Sequence, residues 1–361
     1  MRLQALDLTD IKARLHDKAL SLGFADMGVT GTDVSAEKPR FDAWLARGYH
    51  GSMGFLAAHG DKRFHADKLV PDTRSVISVR LDYLPDTRTH ELLDHPEQAY
   101  IARYALGRDY HKLMRKRLVQ LARWLEEVVG PFGYRAFADS APVLERAVAR
   151  NAGLGWVGKH TLVLNRHAGS WFFLGELYTD LELPPDPPQA TQHCGSCTRC
   201  LDVCPTNAFT GPWELDARKC ISYLTIEHDG PIPEPLRAPM GNRIFGCDDC
   251  QIYCPWTKFT PHTREADFTP RHQLDEADMV ALFLWDEATF LQRTEGMAIR
   301  RTGYENWLRN LAVALGNGSP RPEALQALRR RRPECSELVQ EHIDWALQRL
   351  RAKTLGTPAR Q

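Results

Sequence analysis

Residues 194–205 read Cys194-Gly195-Ser196-Cys197-Thr198-Arg199-Cys200-Leu201-Asp202-Val203-Cys204-Pro205. Three thiolates at intervals of three on a tight loop can reach three corners of one metal–sulfide cubane, while Cys204, just before Pro205, is carried away from them. A second arm, Cys247-Asp248-Asp249-Cys250-Gln251-Ile252-Tyr253-Cys254-Pro255, repeats the Cys-x3-Cys-Pro ending with only three cysteines, and the isolated Cys220 supplies the missing one. The stretch 193–256 thus holds eight of the chain's nine cysteines.

The first arm is the Cys-x2-Cys-x2-Cys-x3-Cys-Pro run of bacterial ferredoxins, in which the fourth cysteine ligates the neighbouring cluster. The ligand count then closes at two [4Fe–4S] clusters. Cys194, Cys197, Cys200 and Cys254 hold one, and Cys204, Cys220, Cys247 and Cys250 hold the other. A pair of zinc sites or a disulfide framework would also use cysteine pairs, but neither accounts for the two Cys-x3-Cys-Pro endings. No signal peptide or long apolar span precedes the module, so a reducing, cytoplasmic setting is expected. Cys335 reads as an ordinary lone thiol.

A length of 361 residues leaves room for two or three domains, and 43% hydrophobic residues can fill ordinary cores. No apolar stretch approaches the ~20 residues needed to cross a bilayer. The net charge of zero conceals an asymmetry. Residues 291–361 carry 13 Lys and Arg against 7 Asp and Glu, so the tail is basic and the remainder acidic. Such a tail either faces a polyanion or is a solvated helical surface.

Apolar periodicity predicts an amphipathic helix over 9–22, a short strand over 24–29, brief helices over 39–49 and 53–59, and a strand over 74–83. A longer helix over 111–129 ends at Gly130-Pro131, followed by a strand over 134–138 and a helix over 143–151. Residues 161–165 and 170–179 are expected to form a hairpin. Pro184 to Gln189 reads as a linker into the cysteine module. Beyond Pro261 the chain returns to helices, and 304–317 and 341–350 resemble HEAT-type repeat helices, with Trp307 echoed by Trp345. The fold class is α+β: a mixed α/β domain over 1–183, a ferredoxin-like two-cluster module over 184–265 and a helical HEAT-like region over 266–361.

Strand 134–138 delivers Asp139-Ser140-Ala141-Pro142 to the next helix, and an acid at a strand end before a helix is a site position in α/β architecture. Two readings stand for Asp139. It is either an N-terminal helix carboxylate or a catalytic acid, the latter requiring a partly buried carboxyl with a raised pKa. Asp61-Lys62-Arg63 and Tyr100-Ile101-Ala102-Arg103-Tyr104 could line a large planar ligand or decorate the surface. The loop Asn151-Ala152-Gly153-Leu154-Gly155-Trp156-Val157-Gly158 lets a ligand approach backbone closely, though it is not the dinucleotide fingerprint.

Together, Ala138-Asp139-Ser140-Ala141-Pro142-Val143-Leu144-Glu145-Arg146, Gly153-Leu154-Gly155-Trp156-Val157-Gly158-Lys159 and the cysteine arms with Cys220 resemble the epoxyqueuosine reductases over nearly the whole chain. These are cobalamin-dependent iron–sulfur enzymes of transfer-RNA modification. The resemblance implies that a base-off cobalamin sits in the N-terminal domain, is reduced by the nearby clusters, and removes the epoxide oxygen of epoxyqueuosine at the wobble position of the anticodon, giving queuosine. It assigns Asp139 as proton donor. It puts Arg63, Tyr104, Asn165, Trp171, Ser222 and Asp248 near the corrinoid, where each could equally serve core or surface. It gives the basic tail a role on anticodon-stem phosphates, with Arg329, Arg330, Arg331 and Arg332 as the footprint. A monomer and an electron donor that the sequence does not identify complete the picture.

The nearest thing to a D-x-H-x-x-G cobalt-ligand motif is Asp109-Tyr110-His111, with Met114 in place of the glycine. Histidine ligation is therefore not expected, and His111 reads as a surface residue at a helix start. Two other readings use the same motifs. One is a corrinoid and iron–sulfur reductase of a small molecule, as in reductive dehalogenases, which usually carry an export signal. The other is a ferredoxin-type electron carrier, which leaves residues 1–180 without a purpose.

Overall fold

The computed structural model describes residues 7–355. Helix α1 (Leu8–Ser21) starts where the Asp7 carboxylate accepts the N–H groups of Thr9 and Asp10, and it buries Ile11, Leu15 and Ala19 on one stripe. Helix α2 (Tyr110–Val129) is capped by Asp109, buries Met114, Leu118, Leu121 and Leu125, and stops at Gly130 with φ +88°. Helix α3 (Glu145–Asn151) is short and lies after the Asp139 loop.

Four strands, β1 (Asp26–Thr30), β2 (Ser75–Asp82), β3 (Tyr134–Phe137) and β4 (Phe172–Thr179), form one antiparallel sheet in the order β1-β2-β4-β3. The central pair β2 and β4 is buried almost end to end, because helices cover both faces. Ile77, Val79, Leu81, Phe173 and Leu177 pack with α1 and α2. Val76, Phe137 and Tyr178 pack on the opposite face with Ala147 and Val148 of α3.

Three expectations change here. The segment 161–165 does not form a hairpin with 170–179: Val163–Leu164 pairs with Trp156–Val157, and a single Asn165–Gly169 bridge closes the turn. The eight-residue apolar strand β4 buries more surface by inserting between β2 and β3. The sheet is antiparallel, so Asp139 is not at the switch point of a parallel α/β sheet. The helix expected over 53–59 is a single 3-10 turn, Gly54–Leu56.

The cysteine module is built from short pieces, including α4 (Ile221–Ile226), and is tied to the first domain by a parallel pairing of Tyr100–Ile101 with Arg243–Phe245. Three helices follow: α5 (Gly303–Asn317), α6 (Pro322–Arg331) and α7 (Glu337–Thr354). One apolar cluster joins Ile101 and Leu106, Ile244 and Phe245, and Trp307, Leu311 and Ile343, so it crosses all three sequence segments. Arg309, fully buried on α5, donates to the carbonyls of Leu224, His228 and Gly230 at 2.7, 2.5 and 2.8 Å. Asn310 donates to Thr225 and Ile244. These bonds lock α5 onto the cysteine module. Trp307 and Trp345 are not equivalent: Trp307 is buried against Trp285, whereas Trp345 lies under Arg237 and Arg349. Among the described residues no helix is long and apolar enough to cross a membrane.

Candidate functional site

The thiols of the cysteine module lie close enough to influence one another. Burial, then neighbouring Cys254, Cys194 and Cys197, pushes the Cys200 thiol up to about 11. Burial likewise raises Cys220, Cys247 and Cys250; Cys220 is also raised by Cys204, and Cys247 and Cys250 by Cys220. Cys200 acts on Cys250 as well, so the sets are neighbours. No group of three or more His, Cys, Asp or Glu among the described residues is tight enough for a single metal ion. Lys159, from the glycine-rich segment, donates to the carbonyls of Gly195 and Cys197 at 2.7 and 2.9 Å and so pins the first arm.

A cavity of about 560 Å³ opens beside this module. Its wall includes Phe172 and Leu174 of β4, Trp44, Met53, Arg63 and Asp139. Trp44, Met53, Cys220 and Cys247 pack against one apolar cluster that includes Ala217, itself on the cavity wall, so two thiols of the second set border the same cluster as the cavity. The first set instead packs with Trp156, Leu164 and Trp256. An apolar floor with arginines at its edge fits a flat macrocycle fringed by amides, the shape of a corrinoid.

Asp139 sits at φ +46°, in the left-handed region that aspartate tolerates better than most residues. The Tyr110 hydroxyl donates to Asp139 Oδ2 at 2.7 Å, and Tyr110 is itself stacked on Phe173 with ring centres 3.7 Å apart. Burial, then the Asp139 charge, raises the Tyr110 phenol well above its usual value, which keeps it a donor. Asp139 does not cap α3: the cap position is Leu144 and has no side-chain bond. Nor is it the partly buried carboxyl that a catalytic acid was expected to be, since its side chain is 64% exposed.

His111 is not a plain surface residue either. Its Nδ1 lies 2.5 Å from Asp109 Oδ1, which raises its pKa, and its Nε2 lies 3.9 Å from Asp139 Oδ2.

Two acids that the sequence left without roles lie behind Asp139. The Asp139 N–H donates to Glu145 Oε1 at 2.7 Å. Glu176, fully buried at the centre of β4, faces Ser78 on β2 and Phe137 on β3 in the register. Neither Glu176 oxygen, nor the Ser78 hydroxyl, meets a hydrogen-bond partner of fixed geometry. Helix α3 packs on β4, which makes Glu145 and Glu176 neighbours, and two neighbouring carboxyls share a hydrogen bond only when one keeps its proton. Burial, then repulsion by Asp139, pushes Glu145 up to about 8; burial, then Glu145, holds Glu176 well above the carboxylate range. The signal was present in the sequence: Glu176 is the one charged residue in an otherwise buried strand.

Of the residues assigned to the corrinoid, Arg63 and Asp139 line the cavity, and Arg63 also donates to the Phe55 carbonyl at 3.0 Å. The other five lie off its wall, with most of their polar groups already engaged. Asn165 bonds to Leu154 and His167, and Trp171 is buried and donates to Thr257. Asp248 accepts from the Tyr100 hydroxyl and the Arg103 N–H. Ser222 lies against Cys220, and Tyr104 sits among Tyr83, Tyr110, Phe173 and Phe245.

The glycine loop serves chain packing rather than ligand approach: a Cβ on Gly155 would sit 2.2 Å from the Leu164 carbonyl oxygen. The four tail arginines do not form one patch. Arg331 turns inward to the Phe283 and Trp285 carbonyls and the Tyr304 hydroxyl, and Arg332 pairs with Asp344 at 2.6 Å. Arg329 and Arg330 border a surface pocket with Gln326 and Thr354.

Residues 63–140 match the family model described as epoxyqueuosine reductase QueG, DUF1730, and residues 193–257 match the 4Fe-4S double cluster binding domain. The chain is 58% identical to the epoxyqueuosine reductase of Pseudomonas aeruginosa, over 93% of each chain. It is 50% identical to that of Escherichia coli, over 95% of this chain and 90% of the other. A crystal structure of epoxyqueuosine reductase with an epoxyqueuosine-modified tRNA-Tyr stem loop superposes with a TM-score of 0.87 at 27% identity, covering 95% of this chain and 91% of that one. A Bacillus subtilis epoxyqueuosine reductase whose catalytic aspartate loop is swung out of the active site gives the same score, identity and coverage.

Proposed function

This chain belongs to the epoxyqueuosine reductase family, and from that premise we propose that it reduces epoxyqueuosine to queuosine at the wobble position of transfer-RNA anticodons, the last step in forming that nucleoside. It is an oxidoreductase whose cofactors are two [4Fe–4S] clusters and cobalamin. The reaction turns an epoxide into an alkene and water, and so consumes two electrons and two protons. The observation that carries the reading is the meeting, at one cavity, of an acid held by Tyr110 and an apolar cluster against which Cys220 and Cys247 also pack.

When bound, cobalamin supplies a strongly reducing, nucleophilic cobalt, which no side chain can provide. Phe172, Leu174, Trp44 and Met53 would seat its ring, and Arg63 and Arg146 would meet its amide fringe. Cys204, Cys220, Cys247 and Cys250 would hold the electron carrier next to the cavity, and Cys194, Cys197, Cys200 and Cys254 the one behind it. Engagement of His111 by Asp109 supports a base-off cofactor without histidine ligation. Asp139 is the acid that protonates the departing oxygen. The mobile aspartate loop of the Bacillus subtilis relative supports that role.

The partner of the cavity is an anticodon stem loop, a reading supported by the stem loop bound to the structural relative. Residues 1–183 carry the cavity, 184–265 the clusters, and 266–361 brace both; Arg329 and Arg330 are the tail arginines left for phosphates. The test is anaerobic reconstitution with iron, sulfide and cobalamin, then addition of a low-potential one-electron reductant in excess and nucleoside analysis of epoxyqueuosine-containing RNA. Stoichiometric queuosine is expected. A protein that takes up clusters and corrinoid yet leaves the epoxide intact would overturn the assignment.

A further inference from the structure

Deoxygenating an epoxide breaks two C–O bonds, forms one C=C bond and releases the oxygen as water. Two electrons arrive through the cofactors, and two protons must reach the same oxygen. Asp139 carries one proton at a time, so it must be reloaded within each turnover or a second donor must act. The question of where the second proton waits rests on the proposed reaction, and the geometry behind Asp139 answers it.

Glu145 is joined to the Asp139 backbone at 2.7 Å and lines the same cavity. Glu176 lies behind it, fully buried in the central strand, with no fixed donor to either oxygen. An ionised carboxylate in that position would be desolvated and unpaired, an arrangement that costs several kcal/mol. We propose that Glu145, half-buried at the cavity wall, and Glu176, fully buried behind it, form an acid pair that shares a proton and reloads Asp139 through the cavity, so that the second proton of the reaction comes from inside the sheet.

The groups facing the pair favour a held proton. The bond with Glu176 lowers Glu145, whereas Asp139 raises both acids and Glu145 raises Glu176 further. Arg146 on the same helix acts in the opposite direction on Glu145, as does Ser78 on Glu176. Tyr178, two residues along β4, and Tyr110 on α2 feel the pair and have phenols raised by burial and by nearby acids, so neither supplies a negative charge at neutral pH. Glu145, with its value near 8, is the member poised to give its proton up and take it back. Glu176 bonds to Glu145 and draws it down, while burial holds the proton of Glu176 itself. Both act through Asp139 and are positioning residues.

The test uses the full chain with its clusters, the Glu145→Gln and Glu176→Gln variants, and the conservative Glu145→Asp. Glutamine at 145 keeps an oxygen acceptor for the Asp139 N–H while removing the proton. Infrared titration of wild-type protein without substrate should show a protonated-carboxyl band that persists through neutrality and fades near pH 8, and each glutamine variant should lose intensity there. Turnover by the glutamine variants should fall on the order of 10- to 100-fold at unchanged KM, with the alkaline limb of the pH profile displaced, and Glu145→Asp should recover part of it. A band that titrates in the ordinary carboxylate range, or glutamine variants with the wild-type rate and pH profile, would overturn the inference. Failure of the wild type on epoxyqueuosine RNA would instead strike the proposed function, and the infrared titration would still decide the state of the pair.

Discussion

Replacing Asp139 by asparagine isolates proton donation from everything else that the residue does. The side chain is 64% exposed and its strongest fixed contact is the 2.7 Å bond from Tyr110, which an asparagine oxygen accepts equally well. Asparagine also tolerates the φ of +46°, whereas alanine there adds roughly 1 kcal/mol of backbone strain and confuses the result. Folding stability should therefore change by less than about 0.5 kcal/mol. Loss of a positioned general acid costs about 10²- to 10⁴-fold, or roughly 3–5 kcal/mol of barrier at about 1.4 kcal/mol per decade. Single-turnover conversion of epoxyqueuosine RNA, followed by nucleoside mass spectrometry, reads that loss, with the corrinoid spectrum and thermal midpoint as controls. An asparagine variant within about threefold of the wild-type rate would remove Asp139 from the chemistry.

The remaining predictions concern the supports of the site. Lys159→Met removes two charge-assisted bonds to the first cysteine arm, so iron per chain should fall by roughly half, with the second cluster retained; undiminished iron would contradict the pinning role. Arg309→Met strips donors from three buried carbonyls and should cost about 3 kcal/mol or more, read as a lowered unfolding midpoint, and an unchanged midpoint would mean that α5 is held by packing alone. Glu145 is raised from 4.5 to about 8 in the folded state, so its stabilising contribution is complete below about pH 4.5 and is lost as pH rises through 8. The thermal midpoint should accordingly drop across that window, and less steeply in Glu145→Gln; parallel slopes would argue against a raised pKa. Neutralising Arg329 and Arg330 together should reduce the salt dependence of RNA binding by about two counterions, whereas Arg331→Ala should instead lower stability through its lost carbonyl contacts.

Local chemistry written in one stretch of chain was legible before any coordinates. Cysteine spacing is set by what a loop can wrap, so two ligand sets, including the distant Cys220, could be proposed from sequence, and the fold gathers these thiols into one module. The long helices α1, α2 and α5 were equally visible, because a sustained 3.6-residue apolar stripe has no competing interpretation. The short segment 161–165 was misread because two residues of strand carry too little pattern to name a partner.

What only the tertiary structure decided is who faces whom. Register on a four-stranded sheet brings Glu176 to the cavity side, and a loop six residues long brings Glu145 under Asp139; neither relation leaves a periodic trace in the sequence. The same holds for Trp44 and Met53, which line the cavity and pack against the same cluster as Cys220 and Cys247, more than 160 residues along the chain. Ligand types follow from covalent spacing and are therefore local. Protonation and proximity follow from desolvation and contact, and those exist only once distant segments have closed around each other.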